Sequence, residues 1–482
     1  MRGVAGPWGA RRGGRHYRPV APPAVGAGLA AVLAALLLTA EPAPGVVLPL
    51  VTPTAPAPGD ASLVVPPALA GPVLEPLTGD APAPDPAVLS RDVAAAAASP
   101  ALGPAVGYLV TDVVTGAVLA SREAAVPREP ASTAKLLTAV AALSALGPDA
   151  TLDTRVVAGT GEDVVLVGGG DVLLGAGAGR PQDVVGRAGL ADLAAATASA
   201  LRAAGRTRVA VRLDDTAFPG PASDARWADG DLQTGYVAPV MALEVDAGRL
   251  RPGPYGPRQP DPALAAAGRF AALLAARGVQ VIGAPSRAGA AAGARELARV
   301  SSAPVADVVE HMLLASENTV AEALARLVAR AAGRPGTALE AGPAVLARLA
   351  ALGLPVAGAR LAGGSGLADG SALTPALLTR VLALAAAQDR PQLRAAVTGL
   401  PVAGASGTLA TRFDAPSQRP GAGLVRAKTG TLTGVTSLAG LVTDADGRLL
   451  AFAVMADRTG PTPAARDAVD TLAAVLAGCG CR

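Results

Sequence analysis

Lysine is nearly absent from this chain. Of its 41 Lys and Arg residues only Lys135 and Lys428 are lysine, the other 39 being arginine. Asparagine occurs once, at Asn318, and histidine twice, at His16 and His311. A Ser-His-Asp triad needs a histidine oriented by a carboxylate, and a zinc site needs several ligands. His16 falls in the basic N-terminal segment and His311 stands alone in "VVEHMLLASEN", so neither chemistry has its parts. His311 reads as an ordinary helix residue, and no metal is expected. The two cysteines, Cys479 and Cys481, lie together in "GCGCR", where they make a frayed tail or a local bridge and brace nothing distant. The glycine-rich "VGGGDVLLGAGAG" lacks the GxxxxGK[ST] pattern, reads as turns, and gives no reason to expect a nucleotide or any other cofactor.

Aromatic residues make up only 2% of the 482 residues while 51% are hydrophobic, so the core must be built from Ala, Val and Leu. The net charge of +3 misleads, because residues 1–40 carry five arginines and no acid, leaving 36 basic against 38 acidic side chains in the rest. That near-neutral body offers no electrostatic footprint for nucleic acid.

The length argues for two or three domains. Behind the N-terminal arginines runs the apolar "VGAGLAAVLAALLLTA", then "EPAPG". Residues 1–40 are expected to be an export signal or an uncleaved membrane anchor, which places the protein outside the cytoplasm, secreted or tethered. Residues 41–87, dense in Pro and Ala, read as an extended linker. Order is expected to begin near Val88 with the helix "VLSRDVAAAAASPAL" and the hairpin "AVGYLVTDVVTGAVLASRE". Next, "ASTAKLLTAVAALSALG" has apolar residues at helical spacing and a glycine stop. Short runs broken by turns then predict a separate α/β or mostly β insertion at 149–285 with one helix, "ADLAAATASALRAAG". Helical texture returns in "PVADVVEHMLLASENTVAEALARLVARAAG" and "LTPALLTRVLALAAA", and strands in "LVRAKTGTLTGVTSLAGLVTDADGRLLAFAVMA", before a closing helix, "PAARDAVDTLAAVLAG".

With histidine and metal excluded, a serine nucleophile with a lysine base remains. Arginine stays protonated, whereas a desolvated lysine can lose its proton. Ser132 and Lys135 are three apart and share one face of the expected helix. Apolar neighbours such as Leu136 and Leu137, and a second cation nearby, would lower the lysine pKa. Lys428 sits in "AKTGT" on an expected strand, where Thr429 offers a hydroxyl and Gly430 lets a ligand backbone lie close. Ser316 and Asn318 lie between, in "ASENTV". The only two lysines and the only asparagine thus occupy the order SxxK, SxN, KTG, the trio of penicillin-binding proteins and class A β-lactamases.

With these motifs, and with "LVGGGDVLLG", "RVAVRLDDTAFPGP", "GYVAPVMALEVD", "GGSGLADGSALTP" and "GASGTLATRF", the chain from about residue 88 onward resembles the type-4, class C low-molecular-mass penicillin-binding proteins of the peptidase S13 family. These are D-alanyl-D-alanine carboxypeptidases and endopeptidases. The resemblance implies an α/β (α+β) fold, with a β-lactamase/transpeptidase-like domain at 88–148 and 286–482 whose antiparallel sheet is flanked by helices, and the smaller insertion at 149–285. It implies peptidoglycan stem peptides and β-lactam antibiotics as partners, and a place at the cell wall. Ser132 would be acylated with Lys135 as base, Ser316 would relay protons with Lys428, and Asn318 would bind the substrate amide and hold Lys135. Lys428 and Thr429 would contact the terminal carboxylate, and the backbone N–H groups of Ser132 and Thr431 would form the oxyanion hole.

Glu317 stands where this group more often has Asp or Asn, with its side chain expected to point away from the nucleophile. Gly363 replaces an expected aspartate, for which the sequence offers no account, and the insertion is shorter than in the larger members. A β-lactamase is the alternative enzyme, but the chain shows no deacylating glutamate loop like that of class A and no class C tyrosine. A catalytically silent wall-binding homologue is the non-enzyme alternative, and the complete set of catalytic side chains argues against it. Carboxypeptidase and endopeptidase action both present a D-Ala-D-X bond to the same serine and stay open at this point.

Overall fold

Two β-sheets with covering helices dominate the computed structural model, which describes residues 81–481. The expected signal or anchor and most of the expected linker lie outside the described residues. The helix Pro86–Ala97 starts two residues before Val88, because Asp85 caps it by accepting from Ala87 N at 2.7 Å and Val88 N at 3.1 Å, with proline in its first turn. The expected hairpin forms as β1 (Ala105–Asp112) and β2 (Val118–Arg122). The insertion contributes β3 (Asp153–Ala158), β4 (Asp163–Val167), β5 (Asp171–Leu174), β6 (Arg208–Asp214), β7 (Leu243–Val245), β8 (Gln280–Val281), β9 (Ser286–Arg287) and β10 (Glu296–Ser301). The C-terminal part adds β11 (Val425–Leu432), β12 (Val435–Thr443) and β13 (Leu449–Asp457).

The main sheet has the order β11-β12-β13-β1-β2 and is antiparallel throughout. Its strand alternation feeds two cores. Leu438, Val442, Phe452 and Val454 pack with the helices Pro86–Ala97 and Thr462–Gly478 on one face. Ala439, Leu441, Ala453 and Met455 face the layer that contains the helices Lys135–Leu146, Val305–Ala315, Asn318–Ala331 and Pro375–Ala386. Strands covered on both sides read as unbroken apolar runs, as "VMA" and "SLAGLV" do. This α/β architecture is the fold class expected from the sequence.

The second sheet, ordered β10-β3-β4-β6-β8 with β9 on β6, has its own core of Val156, Leu166, Leu201 and Phe270. Two features correct the sequence reading. β9 and β10 lie beyond residue 285, yet they hydrogen-bond into this sheet, and just past β10 Ser302 N donates to Leu152 O at 3.0 Å. The insertion also has a second long helix, Pro262–Ala275, whose start signal was legible: Asp261 caps it through Leu264 N at 2.9 Å, and Pro262 opens it. Cys479 and Cys481 form the local bridge of the sequence reading, with Cys479 buried.

Candidate active site

Four chain segments meet at the edge of the main sheet. Ser132 lies in a 3-10 turn, Ala131–Ala134, that runs directly into the helix Lys135–Leu146. Residues i and i+3 eclipse in a 3-10 turn, and Lys135 Nζ lies 2.9 Å from Ser132 Oγ. The turn is entered through Ala131 at φ +47°, a left-handed conformation that a non-glycine residue holds at a cost of about 1 kcal/mol. It is pinned from the sheet by Ser437 Oγ and from within the turn by Thr133 Oγ1, both of which donate to Pro130 O at 2.7 Å. Gly430 makes the approach possible: a Cβ there would lie 2.6 Å from Pro130 O and 2.1 Å from Ser437 Oγ. The open side of Gly430 thus faces the Ser132 turn, which corrects the reason given for it from sequence.

Ser316 and Asn318 occupy the corner between the helices Val305–Ala315 and Asn318–Ala331. Ser316 ends the first helix in the left-handed region at φ +57°, and Glu317 is extended and opens the second. This reversal brings Ser316 Oγ to Lys428 Nζ at 2.9 Å and Asn318 Oδ1 to Lys135 Nζ at 2.6 Å. Glu317 turns instead to the insertion, where it is buried against Arg249 and lies 3.6 Å from Arg258. Lys428, Thr429, Gly430 and Thr431 are on β11, the edge strand, with Thr429 Oγ1 2.9 Å from Thr408 Oγ1. All eight residues singled out from the sequence are therefore found in these segments.

Three contributors were missed. Ser365 O accepts from Lys135 Nζ at 2.9 Å, Tyr236 O accepts from Asn318 Nδ2 at 3.0 Å, and Glu322 holds the Ser365 loop. The carbonyl contacts leave no side-chain signature. Glu322 did leave one, because it follows Asn318 by four residues on the same helix face.

Both lysines are completely buried. Burial lowers the Lys135 pKa to about 7 against the opposing pull of the Glu322 and Glu317 carboxylates. Burial also pushes Lys428 well down, with the charges of Lys135 and Arg412 adding to it. The second cation thus acts on Lys428 more than on Lys135. His311 is half-buried, its pKa lowered by burial, on the helix that leads to Ser316. Among the described residues no group of three His, Cys, Asp or Glu side chains could hold a metal ion.

A neutral lysine has two N–H bonds and one lone pair. Of the three partners of Lys135 Nζ, the Ser365 carbonyl can only accept. Asn318 also presents an acceptor, since its amide nitrogen is committed to Tyr236 O. Both N–H bonds are then taken, and the lone pair is left for the Ser132 hydroxyl. The arrangement can remove a proton from Ser132 at neutral pH.

The sequence profile of the D-Ala-D-Ala carboxypeptidase 3 (S13) family matches residues 89–258 and 250–477. The chain is 41% identical over 420 residues to carboxypeptidase DacB of Mycolicibacterium smegmatis, covering 86% of this chain and 89% of that one. It is 31% identical over 471 residues to a D-alanyl-D-alanine carboxypeptidase of Actinomadura, covering 81% and 85%. Its fold matches penicillin binding protein 4 of Haemophilus influenzae at a TM-score of 0.63 and 22% identity, over 80% of this chain and 97% of that chain.

Proposed function

The chain belongs to the D-Ala-D-Ala carboxypeptidase 3 (S13) family, and on that premise we propose that Ser132 is the nucleophile and Lys135 the base of its acylation step. It is a serine-type D-Ala-D-Ala carboxypeptidase/endopeptidase that acts on peptidoglycan and interacts with β-lactams, and its action is extracytoplasmic. The observation that carries the residue assignment is the fixed lone pair of Lys135, set by Asn318 Oδ1 at 2.6 Å and Ser365 O at 2.9 Å.

Lys135 takes the hydroxyl proton as Ser132 Oγ attacks the carbonyl carbon of the penultimate D-Ala. The backbone N–H groups of Ser132 and Thr431 receive the developing oxyanion, an interaction worth about 3 kcal/mol per donor in other enzymes. As the C–N bond breaks, Ser316 passes a proton to the leaving amine and is resupplied from Lys428, whose Nζ lies 2.9 Å from Ser316 Oγ. Thr429, backed by Thr408, binds the terminal carboxylate with Lys428. A water then attacks the ester carbonyl carbon and gives a proton to Lys428, while Lys135 returns its proton to Ser132 Oγ as the ester C–O bond breaks, which regenerates the serine and both lysines.

Residues 153–301 form the inserted domain of this reading, and the rest of the described chain forms the catalytic domain. The apolar run at 25–40 exports the protein as a cleaved signal or a retained anchor; among the described residues no helix is long and apolar enough to cross a membrane. The test is incubation with peptidoglycan fragments followed by mass spectrometry, alongside covalent labelling with fluorescent penicillin. Loss of one D-Ala identifies carboxypeptidase action, and conversion of dimers to monomers identifies endopeptidase action. Lys135→Arg should fold and fail to label; labelling at the wild-type rate would remove Lys135 from the base role.

A further inference from the structure

The lysine that faces Ser132 is held in part by a carboxylate outside its own hydrogen bonds. Glu322 is 1% exposed, and its oxygens accept from Gly364 N at 3.0 Å, Ser365 N at 2.9 Å and Ser365 Oγ at 2.5 Å. The next link is Ser365 O, which accepts from Lys135 Nζ at 2.9 Å. The loop between them is compressed from three sides. A Cβ on Gly363 would lie 2.7 and 2.8 Å from the two Glu322 oxygens, one on Gly364 2.3 Å from Ala321 O, and one on Gly366 1.9 Å from Ala131 O. Thr138 Oγ1, one turn beyond Lys135, donates to Gly364 O at 2.6 Å. Gly363, unexplained from sequence, is the residue that leaves room for the Glu322 carboxylate.

We propose that Glu322 is a positioning residue for acylation, fixing the 363–366 loop so that the Ser365 carbonyl takes one N–H of neutral Lys135 and leaves the lone pair aimed at Ser132. The inference rests on the assignment of Lys135 as base. The charged groups that bear on Lys135 are Glu322 and Glu317 from one helix and its cap; Lys135 in turn lowers Lys428 on β11, and Arg226 and Arg326 feel the Glu322 charge. Glu322 is the larger of the two carboxylate influences that oppose the effect of burial on Lys135.

Glu322→Gln keeps the shape, but it removes the charge and places an amide donor against the loop N–H groups. The acylation rate constant with fluorescent penicillin, followed from pH 5 to pH 9, tests it. The expected result is a plateau rate lowered ~10-fold or more, from the misplaced base. The acid limb should also move about one pH unit lower, since an opposing negative charge is gone. Ser365→Ala, which keeps the charge and the carbonyl but loses one bond to Glu322, should lower the plateau and leave the limb in place.

A wild-type plateau in Glu322→Gln overturns the proposal, and so does a lowered plateau with an unmoved limb, the pattern of a merely structural residue. If Glu322→Gln does not fold, Ser365→Ala decides: because it keeps the Glu322 charge, a lowered plateau over a limb still in its wild-type place supports the proposal, and a wild-type plateau or a displaced limb overturns it. A limb that survives in Lys135→Arg refutes the base assignment itself, separately from Glu322.

Discussion

Acylation should switch on along one limb centred near pH 7. With the Lys135 pKa lowered to about 7, the neutral fraction is ~1% at pH 5, about half at pH 7 and ~99% at pH 9. The acylation rate should therefore rise ~100-fold between pH 5 and pH 9. An exposed lysine at 10.5 would be only ~0.03% neutral at pH 7, so burial supplies a factor of ~1,500 in usable base, or about 4 kcal/mol. The assay is the second-order rate constant for labelling by fluorescent penicillin, with circular dichroism checking the fold at each pH. Asp171, whose burial raises its carboxyl to about 7, would titrate in the same window, so Asp171→Asn serves as the control and should leave the limb where it is. A rate flat from pH 5 to 9 would refute the reasoning, as would a limb near 10 or one that disappears in Asp171→Asn.

Asp171→Asn should instead alter stability. A carboxyl raised from 3.8 to about 7 on folding costs nothing below pH 3.8, and the cost grows as pH rises to 7 and then stays at about 4 kcal/mol. Denaturant midpoints should show the variant matching wild type at pH 4 and exceeding it at pH 8; equal differences at both would contradict this. Gly430→Ala should sharply reduce penicillin labelling, because the added methyl meets Pro130 O and Ser437 Oγ and displaces the turn that carries Ser132. Arg249→Ala leaves the buried Glu317 carboxylate with Arg258 alone, and should cost about 3 kcal/mol in denaturant unfolding and slow acylation by loosening the Ser316–Asn318 corner. Arg249→Lys should recover part of both.

The three motifs were readable because chemistry restricted composition at those positions. The only two lysines of the chain fall in two of them and the only asparagine in the third, and arginine could not serve in the base role proposed for Lys135. The hairpin, the helix after Ser132 and the closing strands were readable because each carries its own periodicity and punctuation. The helix Pro262–Ala275 carried the same punctuation in Asp261 and Pro262 and was still missed inside a turn-rich segment.

By itself, the sequence determined the reaction type, because that follows from which side chains are present and how they are spaced. It also determined the local elements, which depend on near neighbours. Tertiary structure alone decided that Ser316 would serve Lys428 while Asn318 serves Lys135, since that pairing depends on the left-handed corner at Ser316. It alone decided that β10 pairs with β3, a matter of strand register across 148 residues between Asp153 and Ser301. The hold of Glu322 on Lys135 passes through the backbone carbonyl of Ser365, a group every residue type carries. A contact of that kind leaves no trace in residue identity, and only the folded chain could supply it.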